Sequence, residues 1–218
     1  LDAINPRDFT TDNYRRIDDK TFGGGPGMVM KIEPLELALA AAKAKQEACG
    51  VAKPLVVYLS PQGKRADQKL INQLAQETGV IFVCGRYEGV DERFIQRNVD
   101  VELSVGDFVV SGGELPALLI MDAVVRQIPG AMNSQESVEC DSFMDGLLDC
   151  PHYTVPRDYQ DAKVPEVLFS GNHEQIRKWR LQQSLWRTYQ RRPELLQTRK
   201  LTKEESRLLS EMLAKSQD

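Results

Sequence analysis

Three glycine-bearing stretches hold the residues best placed to do chemistry. They are Tyr58-Leu59-Ser60-Pro61, Cys84-Gly85-Arg86-Tyr87-Glu88-Gly89, and Ser104 to Gly113. Each follows or contains an apolar run that reads as a strand. In open α/β sheets ligands lie beyond the carboxyl ends of the strands, and glycines there let backbone N–H and C=O groups approach a flat or extended molecule. Any one such loop is equally well explained as a tight turn, but three together favour a ligand site. None fits G-x-x-x-x-G-K-[ST], so a P-loop is excluded. The string FGGGPGMVM, Phe22 to Met30, does not fit G-x-G-x-x-G either, because Met28 stands at the last glycine and no strand precedes it. A nicotinamide site is therefore unsupported.

Thiol and metal chemistry find little to work with. Cys49, Cys84, Cys140 and Cys150 are widely spaced without a C-x-x-C pair, and His152 and His173 form no H-E-x-x-H pattern. Reduced thiols in a cytoplasmic protein are expected, with no metal ligands assigned and no metal–histidine mechanism. The start, LDAINPRDF, lacks the basic and apolar regions of a signal peptide, and a first residue of Leu1 suggests that the natural start lies upstream. No run of about eighteen apolar residues is present, so no membrane association is expected.

A net charge of −4 argues weakly against a nucleic-acid partner, but its distribution matters more. Gln175 to Arg192, QIRKWRLQQSLWRTYQRR, carries Arg177, Lys178, Arg180, Arg187, Arg191 and Arg192 and no acid. These six are candidate RNA-phosphate contacts. The alternative is a docked helix with a solvated basic face, since Ile176, Trp179, Trp186 and Tyr189 recur at near-helical spacing.

The elements that must position these residues follow from pattern. Leu35 to Ala48 is alanine- and leucine-rich and predicts a helix; Lys53 to Gly63 predicts a short apolar strand ended by Ser-Pro and Gly. QKLINQLAQETG predicts an amphipathic helix closed by Gly79, Val80 to Gly85 a buried strand, and DERFIQRNV a short helix capped by Asp91. Asp107 to Gly112 reads as a further buried strand between glycines. Glu114 to Gln127 predicts a helix apolar almost all round, which suits burial, with Pro116 in its first turn. Strand–helix alternation with near-continuous apolar strands predicts a parallel sheet covered on both faces, an α/β fold. After Pro129-Gly130 a polar stretch reads as a linker. Asn172 with Gln175, and Thr202 with Glu205, have the form of capping boxes opening two helices of a small C-terminal domain.

The strings YLSPQG, CGRYEG with DER after it, S-GD-V-SGGE-PA, DSF with GLLDCPHYT, and VP-VL-SGNH resemble the bacterial tRNA (guanine-N1)-methyltransferases of the SPOUT class. The resemblance runs from about Asn5 to the last helix. It implies a trefoil-knotted parallel α/β sheet with helices on both faces, plus a small all-α C-terminal domain. The implied boundaries are 1–132 for the knotted cofactor domain, 133–148 for a flexible linker and 149–218 for a helical tRNA-binding domain. Family members begin with a further strand and helix ahead of Leu1, which this sequence does not contain.

In that family S-adenosyl-L-methionine binds bent in the knot against backbone. Carried over, its contacts are Tyr58, Leu59, Ser60, Pro61, Gly85, Tyr87, Glu88, Ser104, Val105, Gly106, Asp107, Phe108, Val109, Val110, Gly112, Gly113 and Pro116. The resemblance further implies methyl transfer to N1 of the guanosine at position 37 of tRNA, 3′ of the anticodon. Asp141 would be the general base, and Arg126 would stabilise charge developing on O6. Glu88 is a third catalytic candidate, with Mg2+ as a candidate helper. On residue chemistry alone Arg126 reads as an ordinary helix-surface partner of Asp122, and Asp141 as a solvated linker carboxylate. A homodimer is implied, with the active site shared between subunits. The place of Asp141 in the polar linker adds the expectation that the linker orders when tRNA binds.

Overall fold

Alternation along one strand organises the first part of the molecule. Val56 and Tyr58 point to one side of strand β3 (Leu55–Arg65), and Val57 and Leu59 to the other. Successive strand side chains face opposite ways, so a run apolar throughout must be covered twice. It is. Val56 and Tyr58 pack with Leu35 and Leu39 of helix α1 (Ile32–Ala48) and Phe94 of α3 (Glu92–Asn98). Val57 and Leu59 pack with Leu70, Ile71 and Leu74 of α2 (Gln68–Leu74) and with Ala117 and Ile120 of α4 (Glu114–Val125).

Strand β3 is the centre of a parallel sheet ordered β4-β3-β5, with β4 at Val80–Cys84 and β5 at Val101–Ser104. A separate antiparallel hairpin, β1 (Asp18–Lys20) with β2 (Met28–Met30), carries the glycine-rich string in its turn. The structure is a computed structural model describing residues 1–216, and it divides into two units, Leu1–Ala131 and Met132–Asp218. Among the described residues no helix is long and apolar enough to cross a membrane.

Four expectations for the first unit are corrected. Strand β3 does not stop at Ser-Pro: after Leu59 pairs with Leu103 the chain bulges, and Lys64 returns to pair with that same Leu103. Helix α2 ends at Leu74, well short of Gly79. The stretch Asp107 to Gly112 is not a buried strand but an irregular loop, with Phe108, Val109 and Val110 exposed. Gly106, at φ +156°, turns the chain out of the ladder, and the residues after it pair with no strand. Helix α4 is also only half covered. Pro116, Ala117 and Ile120 are buried, whereas Leu115, Leu118, Leu119 and Val125 form a stripe at least half exposed. An all-apolar helix has one face for its own sheet and one left over.

The second unit is built on α6 (His173–Arg191), α7 (Pro193–Gln197) and α8 (Lys203–Lys215), with Leu147, Leu185 and Leu208 as its buried core. Both caps expected from sequence form. Asn172 accepts from the Gln175 N–H, and Thr202 and Glu205 make the full reciprocal box. The unit is not purely helical, because a two-stranded ribbon, β6 (Asp158–Tyr159) with β7 (Ala162–Lys163), interrupts it. The stretch read as a linker holds structure of its own. It contains α5 (Gln135–Glu139), and Val138 and Leu147 are almost completely buried.

Candidate active site

The three glycine-bearing loops meet at the carboxyl end of the sheet. The Gly113 N–H donates to Gly85 O at 2.9 Å. A Cβ on Gly113 would lie 2.7 Å from Cys84 Cα and 3.0 Å from Gly85 N, all backbone, so only glycine fits there. Likewise Gly63, in the β3 bulge, lies on the Glu102–Leu103 backbone, where a Cβ would meet atoms at 2.5 Å. An Arg86–Glu114 ion pair of 2.8 Å ties the second loop to the first turn of α4. The glycines therefore serve close backbone packing between loops, as well as leaving backbone groups accessible.

The expected cofactor contacts separate into two kinds. Tyr58 and Leu59 are buried with their side chains in the two core clusters, so only their backbone can face a ligand. Burial pushes the Tyr58 phenol above its ordinary value. Ser60 accepts from Gln62 N, and the Ser104 hydroxyl both accepts from Gly106 N and donates to Gly106 O, shaping the third loop. Pro116 is buried in the first turn of α4. Tyr87, Phe108, Val109 and Val110 are exposed. Such apolar groups beside backbone donors and acceptors suit an aromatic base better than a phosphate. Cys84, at the end of β4, is pushed up to about 11, first by burial and then by Glu114.

Glu88 has a neighbour that sequence reasoning missed. Gly27, at φ +81°, sits so close that a Cβ there would lie 2.3 Å from Glu88 Oε1. The Glu88 N–H donates to Met28 O, which fixes the loop against β2. The glycine-rich string does not fit a dinucleotide fingerprint. Its role is to let this carboxylate lie against the backbone.

The two other catalytic candidates belong to different units. Arg126 is the half-buried C-cap of α4, its N–H bonded to Asp122 O. Asp141 follows α5, half-buried, with its N–H on Val138 O. Asp149, Cys150 and His152 bring ligand-type atoms within 4.8 Å of one another, a grouping no sequence pattern had singled out. Burial alone would push the Asp149 carboxyl up, but His152 and the Cys150 N–H hold it below its ordinary value.

The basic segment is less uniform than its sequence. Arg177 is held by Glu174 and Glu204, Lys178 by Glu174, and Arg192 by Glu194. Glu174 is driven down to about 2, first by Arg177 and then by Lys178. Among the described residues Arg180, Arg187 and Arg191 have no carboxylate within 4.0 Å.

Comparison with known proteins decides the family. The model of tRNA (guanine-1)-methyltransferase TrmD matches residues 1–198. The chain belongs to this TrmD family. It is 64% identical to the tRNA (guanine-N(1)-)-methyltransferase of Chromobacterium violaceum over 209 residues, covering 96% of this chain and 82% of the relative. The protein of the same name from Pseudomonas syringae pv. tomato is 58% identical over 218 residues, covering 100% of this chain and 86% of the relative. That of Methylobacillus flagellatus is 60% identical over 208 residues, covering 95% and 79%. Membership turns the meeting of the three TrmD-like loops from a turn-packing curiosity into a candidate active site.

Proposed function

We propose that the chain transfers a methyl group from S-adenosyl-L-methionine to N1 of the guanosine at position 37 of tRNA, 3′ of the anticodon. The observation that carries this reading is the junction of the second and third loops through Gly85 and Gly113, with the first strand end paired beside them at Leu103 and Ser104, in a member of a tRNA methyltransferase family. We take the doubled pairing of Leu103, first by Leu59 and then by Lys64, as the place where a trefoil knot would be tied. Exposed Tyr87 and Phe108 beside the loop junction suit the adenosine of the cofactor. When bound there, S-adenosyl-L-methionine supplies an electrophilic methyl group.

The chain's own residues do the rest. Guanine N1 carries a proton and becomes nucleophilic once that proton leaves. Asp141 accepts it, and the Arg126 guanidinium faces the negative charge that develops toward O6. Glu88, held by Gly27 and Met28, orients the acceptor. Mg2+, held through a carboxylate such as Glu88 with its other positions filled by water and substrate, would neutralise charge near the acceptor. Units 1–132 and 149–218 would divide cofactor and tRNA binding, joined through 133–148. The exposed apolar stripe on α4 is the face a second copy would cover, which supports a homodimer with Asp141 supplied across it. The four free cysteines suit a reducing cytoplasm.

The test is transfer of labelled methyl to a tRNA transcript carrying guanosine at position 37. Transfer is expected with that transcript, none with an adenosine replacement, and a loss of at least a hundredfold in Asp141→Ala. Equal labelling of both transcripts would refute the assignment.

A further inference from the structure

A cleft in the second unit has no part in the chemistry above. It encloses about 420 Å³, within the roughly 300–1,000 Å³ range of small-ligand sites. Its lining includes His152, Tyr153, Arg157, Phe169, Ile176 and Arg180, and no carboxylate is among the residues that line it. The guanidinium of Arg157 lies 4.2 Å over the Phe169 ring centre, a flat cationic–aromatic wall. Tyr153 is tilted against Trp179 of α6 with ring centroids 6.3 Å apart, and the His152 ring is fixed by Asp149 at 2.7 Å.

The charges here contrast with those beside them. Arg177, one turn before Arg180 on α6, is clamped by Glu174 and Glu204. Among the described residues neither Arg180 nor Arg157 has a carboxylate within 4.0 Å, so both guanidiniums keep their donors for a ligand. Two uncommitted guanidiniums, aromatic faces and an apolar floor match a planar base joined to an anion. RNA loops present that combination whenever a nucleotide leaves the stack.

We propose that this cleft takes one unstacked nucleotide of the tRNA, with its phosphate on Arg157 and Arg180 and its base against the Phe169 and Tyr153 faces. This rests on the reading of tRNA as substrate. The cleft then fixes the register of the tRNA on the second unit, separately from methyl transfer.

The test is equilibrium binding of an unmodified tRNA transcript across a salt series, which needs no catalysis. Arg180→Glu and Arg157→Glu should each raise Kd about tenfold and flatten the slope of log K against log salt by about one. Phe169→Leu should raise Kd about fivefold with the slope unchanged, as loss of a stacking face does. Arg207→Glu, whose residue already lies 3.8 Å from Glu211 on α8, is the charge control and should stay within twofold. Thermal melts of each variant check that the fold persists, and Arg180→Lys should recover part of the affinity. Arginine variants indistinguishable from Arg207→Glu would overturn the proposal. Loss in the arginine variants with none in Phe169→Leu would overturn the nucleotide assignment too, leaving a bare phosphate contact. A protein that binds tRNA through this cleft yet transfers no methyl would refute the catalytic reading alone. One that methylates tRNA while the cleft variants bind like wild type would refute the cleft alone.

Discussion

The loop junction of the first unit and the basic helix of the second meet specificity in opposite ways. At the junction, backbone touches backbone: Gly113 lies on Cys84 and Gly85, and Gly63 on Glu102 and Leu103. No side chain can be added without moving a strand end. Over Gln175 to Arg192 the geometry is set by charge, and three of the six cations are already spent internally on Glu174, Glu194 and Glu204. The first region is specified by what must be absent, the second by which cations have no carboxylate within 4.0 Å among the described residues. A single methyl group should thus be ruinous in one place, while whole charges can be removed at little cost in the other.

The comparison can be broken most sharply at Gly27. Gly27→Ala places a Cβ into Glu88 and strains a left-handed backbone position by about 1–2 kcal/mol. The side chain of Glu88 must swing away, so the methyl-transfer rate should fall by at least about tenfold, with cofactor affinity much less affected. Single-turnover transfer beside calorimetric titration of the cofactor would separate the two.

Next in size are the uncommitted cations. Arg187→Glu and Arg191→Glu should each weaken tRNA binding about tenfold and flatten its salt dependence, read by the same binding isotherms. Arg177→Gln removes one positive charge, half the change of either reversal, from a residue already neutralised by two carboxylates. It should change tRNA affinity by less than twofold and stability by under about 1 kcal/mol, by thermal or urea melts. A large effect at Arg177 would erase the distinction between paired and unpaired cations.

The smallest effect concerns thiols. Burial raises Cys84 to about 11, above its unfolded value. Its thiol form therefore favours the folded state below pH about 9, and that contribution is lost as pH climbs through 11. Iodoacetamide at pH 8 should modify exposed Cys49 and Cys140 first, leaving Cys84 and buried Cys150 until the protein unfolds. Mass spectrometry of labelled peptides would show the order.

How much of this was legible beforehand differs between elements for physical reasons. The strand interiors of β3 and β4, helix α1, and the caps at Asp91, Asn172 and Thr202 rest on local patterns, and they formed where the pattern put them. Asp107 to Gly112 has strand-like residues but no partner strand, and pairing is not a local property. Helix α4 carries apolar residues on every side, which states that its faces want covering without saying by what. The β3 bulge and the Gly27–Glu88 contact join positions far apart in the chain. The same holds for the charges of α6: Gln175 to Arg192 contains no acid, and its acids arrive from Glu174 just before it and Glu204 on the next long helix. Within the candidate site, the glycine loops were visible from residue chemistry. Asp141 and Arg126 are proposed only through family resemblance, since nothing in their local composition sets them apart from surface charge.

The most direct test of the account is calorimetric titration of S-adenosyl-L-methionine into the wild type, Gly113→Ala and Arg191→Glu. The loop junction as cofactor cradle predicts loss of at least about a hundredfold in Gly113→Ala, with Arg191→Glu unchanged and both variants folded. Unchanged cofactor affinity in Gly113→Ala would contradict it, and would place the cofactor somewhere other than where the three loops meet.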